Sequence, residues 1–177
     1  GMIPKGWKIV PLKDVSNVID SLHITPKYED SGYPMIRGTE INGGYLESED
    51  LENAPKVSER VFKEFSAGHK PMKNEILMTR VGSYGVASFI KTDKPFCLGQ
   101  NTVVIIPEYI DNFYLYIYLS TKTTKDQIEI GLAGSSQKTL SLRNIRTLLV
   151  SYPEDGPEQK LISQKLNGIY DVILNEK

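Results

Sequence analysis

Apolar and polar positions change period several times along the chain. Runs rich in β-branched and apolar residues, each bounded by Gly, Pro or Asn, predict strands at 35–41, 75–81, 86–91 and 102–107. The opening WKIVPL predicts an extended lead-in whose Trp7 packs into the core, with a brief helix over 12–18. Ser58 is a natural N-cap for a helix through Phe65, because Val61, Phe62 and Phe65 fall on one side. Asp111 caps a second helix over 112–122, in which Tyr114, Tyr116 and Tyr118 alternate with Phe113, Leu115, Ile117 and Leu119. Such a helix is apolar nearly all round, so it belongs deep in the domain with its hydroxyls bonded. A shorter helix through Gln127 and Ile130 leads to Gly131 and a polar loop, and a last strand is expected over 146–152. Strands and helices do not alternate regularly and no repeat is present. The expected class is therefore mixed α+β, with a mainly antiparallel sheet and packed helices.

After Pro153 the period changes. Asp155-Gly156-Pro157-Glu158 carries helix-start signals, with Pro near the first turn and acid at the positive end of the dipole. Ile162, Leu166, Ile169 and Ile173 then recur at coiled-coil spacing, with Lys160, Lys165 and Asp171 off the seam. The division expected is a globular domain at 2–153 and the start of a coiled-coil-type spacer or dimerisation helix at 154–177. A helix folded back on its own domain is the competing reading.

Composition narrows the class. At 177 residues and 40% hydrophobic content the chain can bury one sizeable core. No basic amino-terminal segment precedes a long apolar run, and no run of about eighteen apolar residues occurs, so no signal peptide or membrane span is expected and the protein is placed in the cytoplasm. Cys97, the single cysteine, lies between Phe96 and Leu98 and reads as a small buried hydrophobe. With 21 Lys and Arg against 22 Asp and Glu the net charge gives no sign of a nucleic-acid protein. Its distribution is uneven: Glu47, Glu49, Asp50 and Glu52 cluster, whereas Lys122, Lys125, Lys138, Arg143 and Arg146 concentrate later. One face can be basic while the molecule is neutral.

Recognisable catalytic chemistry is missing. His23 and His69 have no metal-ligand neighbours at usable spacing, and one Cys builds no zinc site. No G-x-S-x-G elbow or G-x-G-x-x-G run occurs, and the glycines of Gly82-Ser83-Tyr84-Gly85 fit a β-turn between two strands. The stretch GSSQKT at 134–139 has the composition of a phosphate loop, but Leu132 and Gln137 stand where a P-loop needs glycine. A protein without catalysis of its own, working by binding, is the better expectation. An enzyme using 134–139 as a phosphate or nucleotide site is the rival, and a pure interaction module built on the C-terminal seam is a third reading.

The ordered set WKIVPLKDV (7–15), PMIRGTEIN (34–42), NEILMTRVGSYG (74–85), Gly99-Gln100-Asn101, GSSQKTL (134–140), and Tyr152-Pro153 followed by Pro157-Glu158-Gln159-Lys160-Leu161-Ile162 resembles one target-recognition unit of a type I restriction-modification specificity subunit. That resemblance covers nearly the whole chain. It implies a double-stranded DNA reader that directs modification (methyltransferase) and restriction subunits to one half of a bipartite site. It also implies a full subunit of two such units whose long helices pair antiparallel. The length departs from that pattern: either the other half has been cut away, or a half-length subunit dimerises, or a second recognition half joins, through Ile162, Leu166, Ile169 and Ile173. A recognition domain at the end of a fused restriction-methylation polypeptide is the variant reading. No cofactor is expected in this chain; S-adenosylmethionine, ATP and magnesium belong to the partner subunits by resemblance.

Base reading calls for paired donors and acceptors on loops: Gln or Asn for adenine, Arg for guanine, Ser or Thr for either, with Lys and free amides holding phosphate. The candidates are Arg80, Ser83 and Tyr84, Gln100 and Asn101, and Ser135, Ser136, Gln137, Lys138 and Arg143. Gln137 and Lys138 lead, because a polar loop has no structural need for that pair. The competing roles are a buried turn tied by Gln100 and Asn101, internal ion pairs for Arg37 and Arg80, a finished hairpin for Ser83 and Tyr84, and a helix-end cation for Arg143.

Overall fold

A computed structural model describes residues 3–133 and 139–175. Among these residues the chain forms β1 (Trp7–Pro11), β2 (Ser16–Asp20), β3 (Tyr33–Ile36), β4 (Gly44–Leu46), α1 (Ser48–Asn53), β5 (Lys56–Val57), α2 (Glu59–Phe65), β6 (Ile76–Thr79), β7 (Ala87–Ile90) and β8 (Cys97–Leu98). There follow β9 (Thr102–Pro107), α3 (Asn112–Leu119), α4 (Lys122–Leu132), α5 (Leu142–Arg146), β10 (Leu149–Pro153) and α6 (Gly156–Asn175). No helix among the described residues is long and apolar enough to cross a membrane.

The centre is a five-stranded sheet ordered β2-β9-β6-β7-β4, antiparallel except for the β4–β7 pair. Successive side chains on a strand point to opposite faces, and both faces here are covered. Ile76, Met78, Ala87, Phe89, Val103 and Ile105 enter one cluster with α3, α4, α5 and the β1–β10 ribbon. Leu77, Ile90 and Val104, their neighbours in sequence, enter another with Ile36, Leu51 and Phe96. A small sheet ordered β5-β3-β8 completes that second side. Strands buried on both faces read as continuous apolar runs, which is why β6, β7 and β9 were visible in the sequence.

The differences from expectation lie where distant partners decide. The helix expected over 12–18 is one 3-10 turn, Leu12–Asp14, followed by β2. Ser16–Asp20 instead pairs residue by residue with β9, from Ser16 opposite Pro107 to Asp20 opposite Val103. The helix over 112–122 breaks after Leu119, because the Thr121 hydroxyl accepts from the Thr124 amide and starts α4. The last strand begins at Leu149; residues 142–146 form α5, capped by Ser141. The first strand run ends at Ile36, where the Arg37 amide donates to the Glu40 carboxylate and turns the chain. Within the acidic cluster, Glu47 and Asp50 form the capping box of α1.

Tyr114 and Tyr116 of α3 find partners for their hydroxyls. Tyr114 donates to the Ser151 carbonyl at 2.8 Å, and burial pushes its phenol up to about 12. The Tyr116 hydroxyl accepts from the Gly44 amide, donates to the Gly44 carbonyl, and lies 2.5 Å from the Tyr170 hydroxyl. At the opposite edge of the sheet Arg146 donates to the Val18 carbonyl at 2.8 Å, and on the ribbon the Gln127 amide bonds both backbone groups of Leu149.

Candidate nucleic-acid interface

Four segments meet at one end of the central sheet, the end where β2 and β6 finish and β9 begins. They enclose a cleft of about 690 Å³. The arm after β2 supplies Thr25 and Tyr28, the turn after β3 supplies Arg37, Thr39 and Asn42, the β6–β7 turn supplies Ser83, and the turn before β9 supplies Gln100 and Asn101. The lining is thus rich in amides, hydroxyls and one guanidinium, the groups that bond base edges.

Each wall is held by its own contacts. Arg37 forms two bonds to the Glu40 carboxylate, at 3.0 Å from Nε and 2.6 Å from a terminal nitrogen, and its guanidinium lies 5.7 Å from the centre of the Tyr28 ring. The bond to Glu40 raises the Arg37 guanidinium above its ordinary value. Burial alone would raise the Glu40 carboxyl, but bonds from Arg37 and Thr39 hold it below the usual range. Gly99 permits this packing: a Cβ there would stand 2.7 Å from Arg37 Cγ. Asn101 has φ of 64°, the left-handed region that Asn tolerates better than most residues, and Gln100 donates to the Thr25 hydroxyl at 2.9 Å.

Arg80 ties the walls together from beneath. One terminal nitrogen lies 2.6 and 2.7 Å from the two Asp20 oxygens, and Nε donates to the Leu140 carbonyl at 2.9 Å. Its amide donates to the Asn101 carbonyl, and its carbonyl accepts from the Leu140 amide. His23 lies against the same Asp20 carboxylate at 2.9 Å. Next along the chain, Val81 bridges Thr139 in antiparallel fashion, so residue 139 is fixed at the cleft wall.

Ser83, Gln100 and Asn101 therefore come together as expected for one surface. Arg80, expected to read bases, is instead engaged inside the fold, because the Leu140 carbonyl takes its Nε and Asp20 takes one terminal nitrogen. Tyr84 leaves the cleft: its ring packs against the helical side of the core and its hydroxyl donates to Glu129. Arg143 is exposed on α5, away from the cleft lining. Ser135, Ser136, Gln137 and Lys138 lie outside the described residues. Sequence reasoning missed Thr25, Tyr28, Thr39 and Asn42 as lining residues, and gave Arg37 only its ion pair. Three of these, Arg37, Thr39 and Asn42, sit in the run PMIRGTEIN that carried the resemblance.

A family profile described as "Type I restriction modification DNA specificity domain" matches residues 4–177. The chain belongs to that family. This specificity domain is 25% identical over 167 residues to the type I restriction enzyme EcoBI specificity subunit of Escherichia coli, covering 91% of the chain and 34% of that protein. It is 28% identical over 182 residues to the MjaIX specificity subunit of Methanocaldococcus jannaschii, covering 100% of the chain and 41% of that protein. It shares its fold with the HsdS subunit of Thermoanaerobacter tengcongensis, at a TM-score of 0.65 and 15% identity over 99% of this chain and 40% of that one. The S subunit of M. genitalium gives 0.63 and 16% over 97% and 42%. The chain thus spans well under half the length of these relatives. The rival reading, an enzyme using 134–139 as a nucleotide site, is not favoured by these matches.

The helix of the specificity domain divides the predicted pairing seam. Ile162 and Leu166 pack with Tyr170 against the core of their own domain. Ile169 and Ile173 are exposed, as are Leu161 and Val172, so the outward apolar stripe is rotated from the one that spacing alone predicts. Beside these apolar contacts, the face turned to the body carries a polar row at intervals of four: Gln159, Ser163, Asn167 and Asp171. The first two are buried and all four are hydrogen-bonded.

Proposed function

We propose that the chain reads one half of a bipartite DNA sequence and directs type I modification and restriction subunits to it, without catalysis of its own. The observation that carries this reading is the convergence of Arg37, Asn42, Ser83, Gln100 and Asn101 from separate segments at one end of the sheet. These are the residue types that read base edges by paired hydrogen bonds, held on braced turns. S-adenosylmethionine, ATP and magnesium then serve the partner subunits, and the complex works on DNA in the cytoplasm. Thr139 is anchored on Val81 at the wall of the same cleft, and DNA contacts are proposed for Gln137 and Lys138, which directly precede it in the sequence.

The test is a selection from randomised duplexes with partner subunits present. One enriched half-site is expected, and absence of enrichment overturns the reading. Gln100→Ala should relax preference at one base position by about 1–3 kcal/mol, and Gln137→Ala should change which bases are accepted. Lys138→Ala should weaken binding to all sequences and reduce the salt slope by about 1.

A further inference from the structure

The row Gln159, Ser163, Asn167 and Asp171 is an unusual way to dock a helix. Globular domains normally receive a helix on an apolar stripe. Here polar groups meet partners one turn after another. Gln159 accepts from the Asp111 amide at 3.1 Å and donates to the Pro153 carbonyl at 2.9 Å. Ser163 donates to the Asp111 carboxylate at 2.5 Å. The Tyr45 hydroxyl lies 2.5 Å from Asp171 and 3.2 Å from Asn167, and Asn167 also donates to Asp171 at 3.0 Å. Burial, and then the bond to Asp171, raise the Tyr45 phenol well above its ordinary value. Ile162, Leu166 and Tyr170 flank the row and supply the apolar contact.

We infer that this polar row fixes the direction of α6 and thereby sets the spacing between the DNA half-sites that the assembled complex accepts. Apolar contact is non-directional and tolerates sliding or tilting, whereas hydrogen bonds weaken steeply off axis. Buried polar residues on a helix seam are known to fix register for that reason. The geometry makes direction matter. At 20 residues α6 is about 30 Å long, so a tilt of about 6.5° displaces its far end by about 3.4 Å, the rise of one base pair. The Asp111 end of the row lies far from the cleft, and at the other end the Tyr45 ring turns into the helical side of the core although Asn42 is close by in sequence. Asp111 follows the end of β9 whereas Asn101 precedes its start, which puts roughly 20 Å of strand between them. Loosening the row should change spacing and leave base preference alone.

This inference rests on the reading of the chain as one half of a bipartite recognition unit, and the test separates the two. The duplex library carries half-sites joined by spacers of varied length. The complex contains either the parent chain or the chain with Tyr45→Phe and Ser163→Ala, which remove bonds and keep packing. The parent should enrich one spacer length. The variant should enrich the same half-site while its preference for that length over neighbours one base pair away falls about fivefold or more. If the parent shows a half-site and no preferred length, the bipartite reading fails and the inference with it. If the parent prefers one length and the variant prefers it equally, the inference alone fails. Loss of the half-site in the variant also overturns it, because the row would then support the body and not the joint. A second measurement needs no DNA: nitroxides on Lys13→Cys and Val172→Cys, both exposed, should give a narrow distance distribution that widens in the variant. Equal widths overturn the inference.

Discussion

Replacing Arg80 by Met separates a bracing role from a base-reading one. The substitution keeps most of the side-chain volume and removes three close contacts, two to Asp20 and one to the Leu140 carbonyl. Removing one partner of a fully buried ion pair costs about 3–5 kcal/mol, mostly through the charge left behind. Asp20 retains 23% side-chain exposure and keeps His23 beside it, so the cost should fall to about 2–3 kcal/mol. In a chain of this length that lowers Tm by about 5–10 °C. Asp20→Asn combined with Arg80→Met leaves neither charge stranded, so a double-mutant cycle in urea should return a coupling of about 1–2 kcal/mol. The DNA consequence is indirect: Asn101 and residues 139–140 lose their common support, so base discrimination should fall more than non-specific affinity. An unchanged urea midpoint together with lost DNA binding would refute this reasoning and make Arg80 a direct contact.

The two faces of α6 should respond in opposite ways. Leu166→Ala, packed against the core, should cost about 2 kcal/mol in urea unfolding, whereas Ile169→Ala, exposed, should stay within about 0.5 kcal/mol. Cys97 is fully buried and its thiol is pushed up to about 12 by burial, so a thiol reagent at pH 8 should label it at the rate of unfolding and no faster. Because the folded Glu40 carboxyl lies below its unfolded value, its contribution is present above the unfolded value and lost as pH falls through the folded one. The stability gap between the parent and Glu40→Gln should therefore be widest near neutrality and close below about pH 4.

How much of this was legible depended on whether the deciding interaction was local. Ser58, Thr102–Pro107 and Asp155 announced α2, β9 and α6 because a cap or a continuous apolar run is written in consecutive residues. β2 and the three-residue β4 were invisible because each exists only through a partner strand tens of residues away. The acidic run shows in the sequence only as a charge cluster, although Glu47 and Asp50 stand three apart as a capping pair does. In α6 the apolar repeat is legible as hydrophobic periodicity, whereas the polar repeat beside it matters only through partners on other elements. The cleft followed the same division. Ser83, Gln100 and Asn101 lay on recognisable turns, but nothing local brings Thr25 to Gln100, 75 residues apart.

The side chains that fasten the sheet margins bear on how the protein survives at high concentration. A strand at a margin offers unpaired amides and carbonyls that can recruit a neighbouring molecule. Tyr116 occupies those groups at Gly44, Arg146 takes the carbonyl of Val18, and the Gln127 amide stands in for a further strand at Leu149. Three templates for sheet growth are thus blunted by single residues on helices that pack nearby. Gln127→Ala and Arg146→Ala should speed aggregation during refolding, as followed by light scattering, more than their cost in equilibrium stability would suggest. Helices that close a core from above can in this way also keep its margins from templating a neighbour, without any added loop or strand.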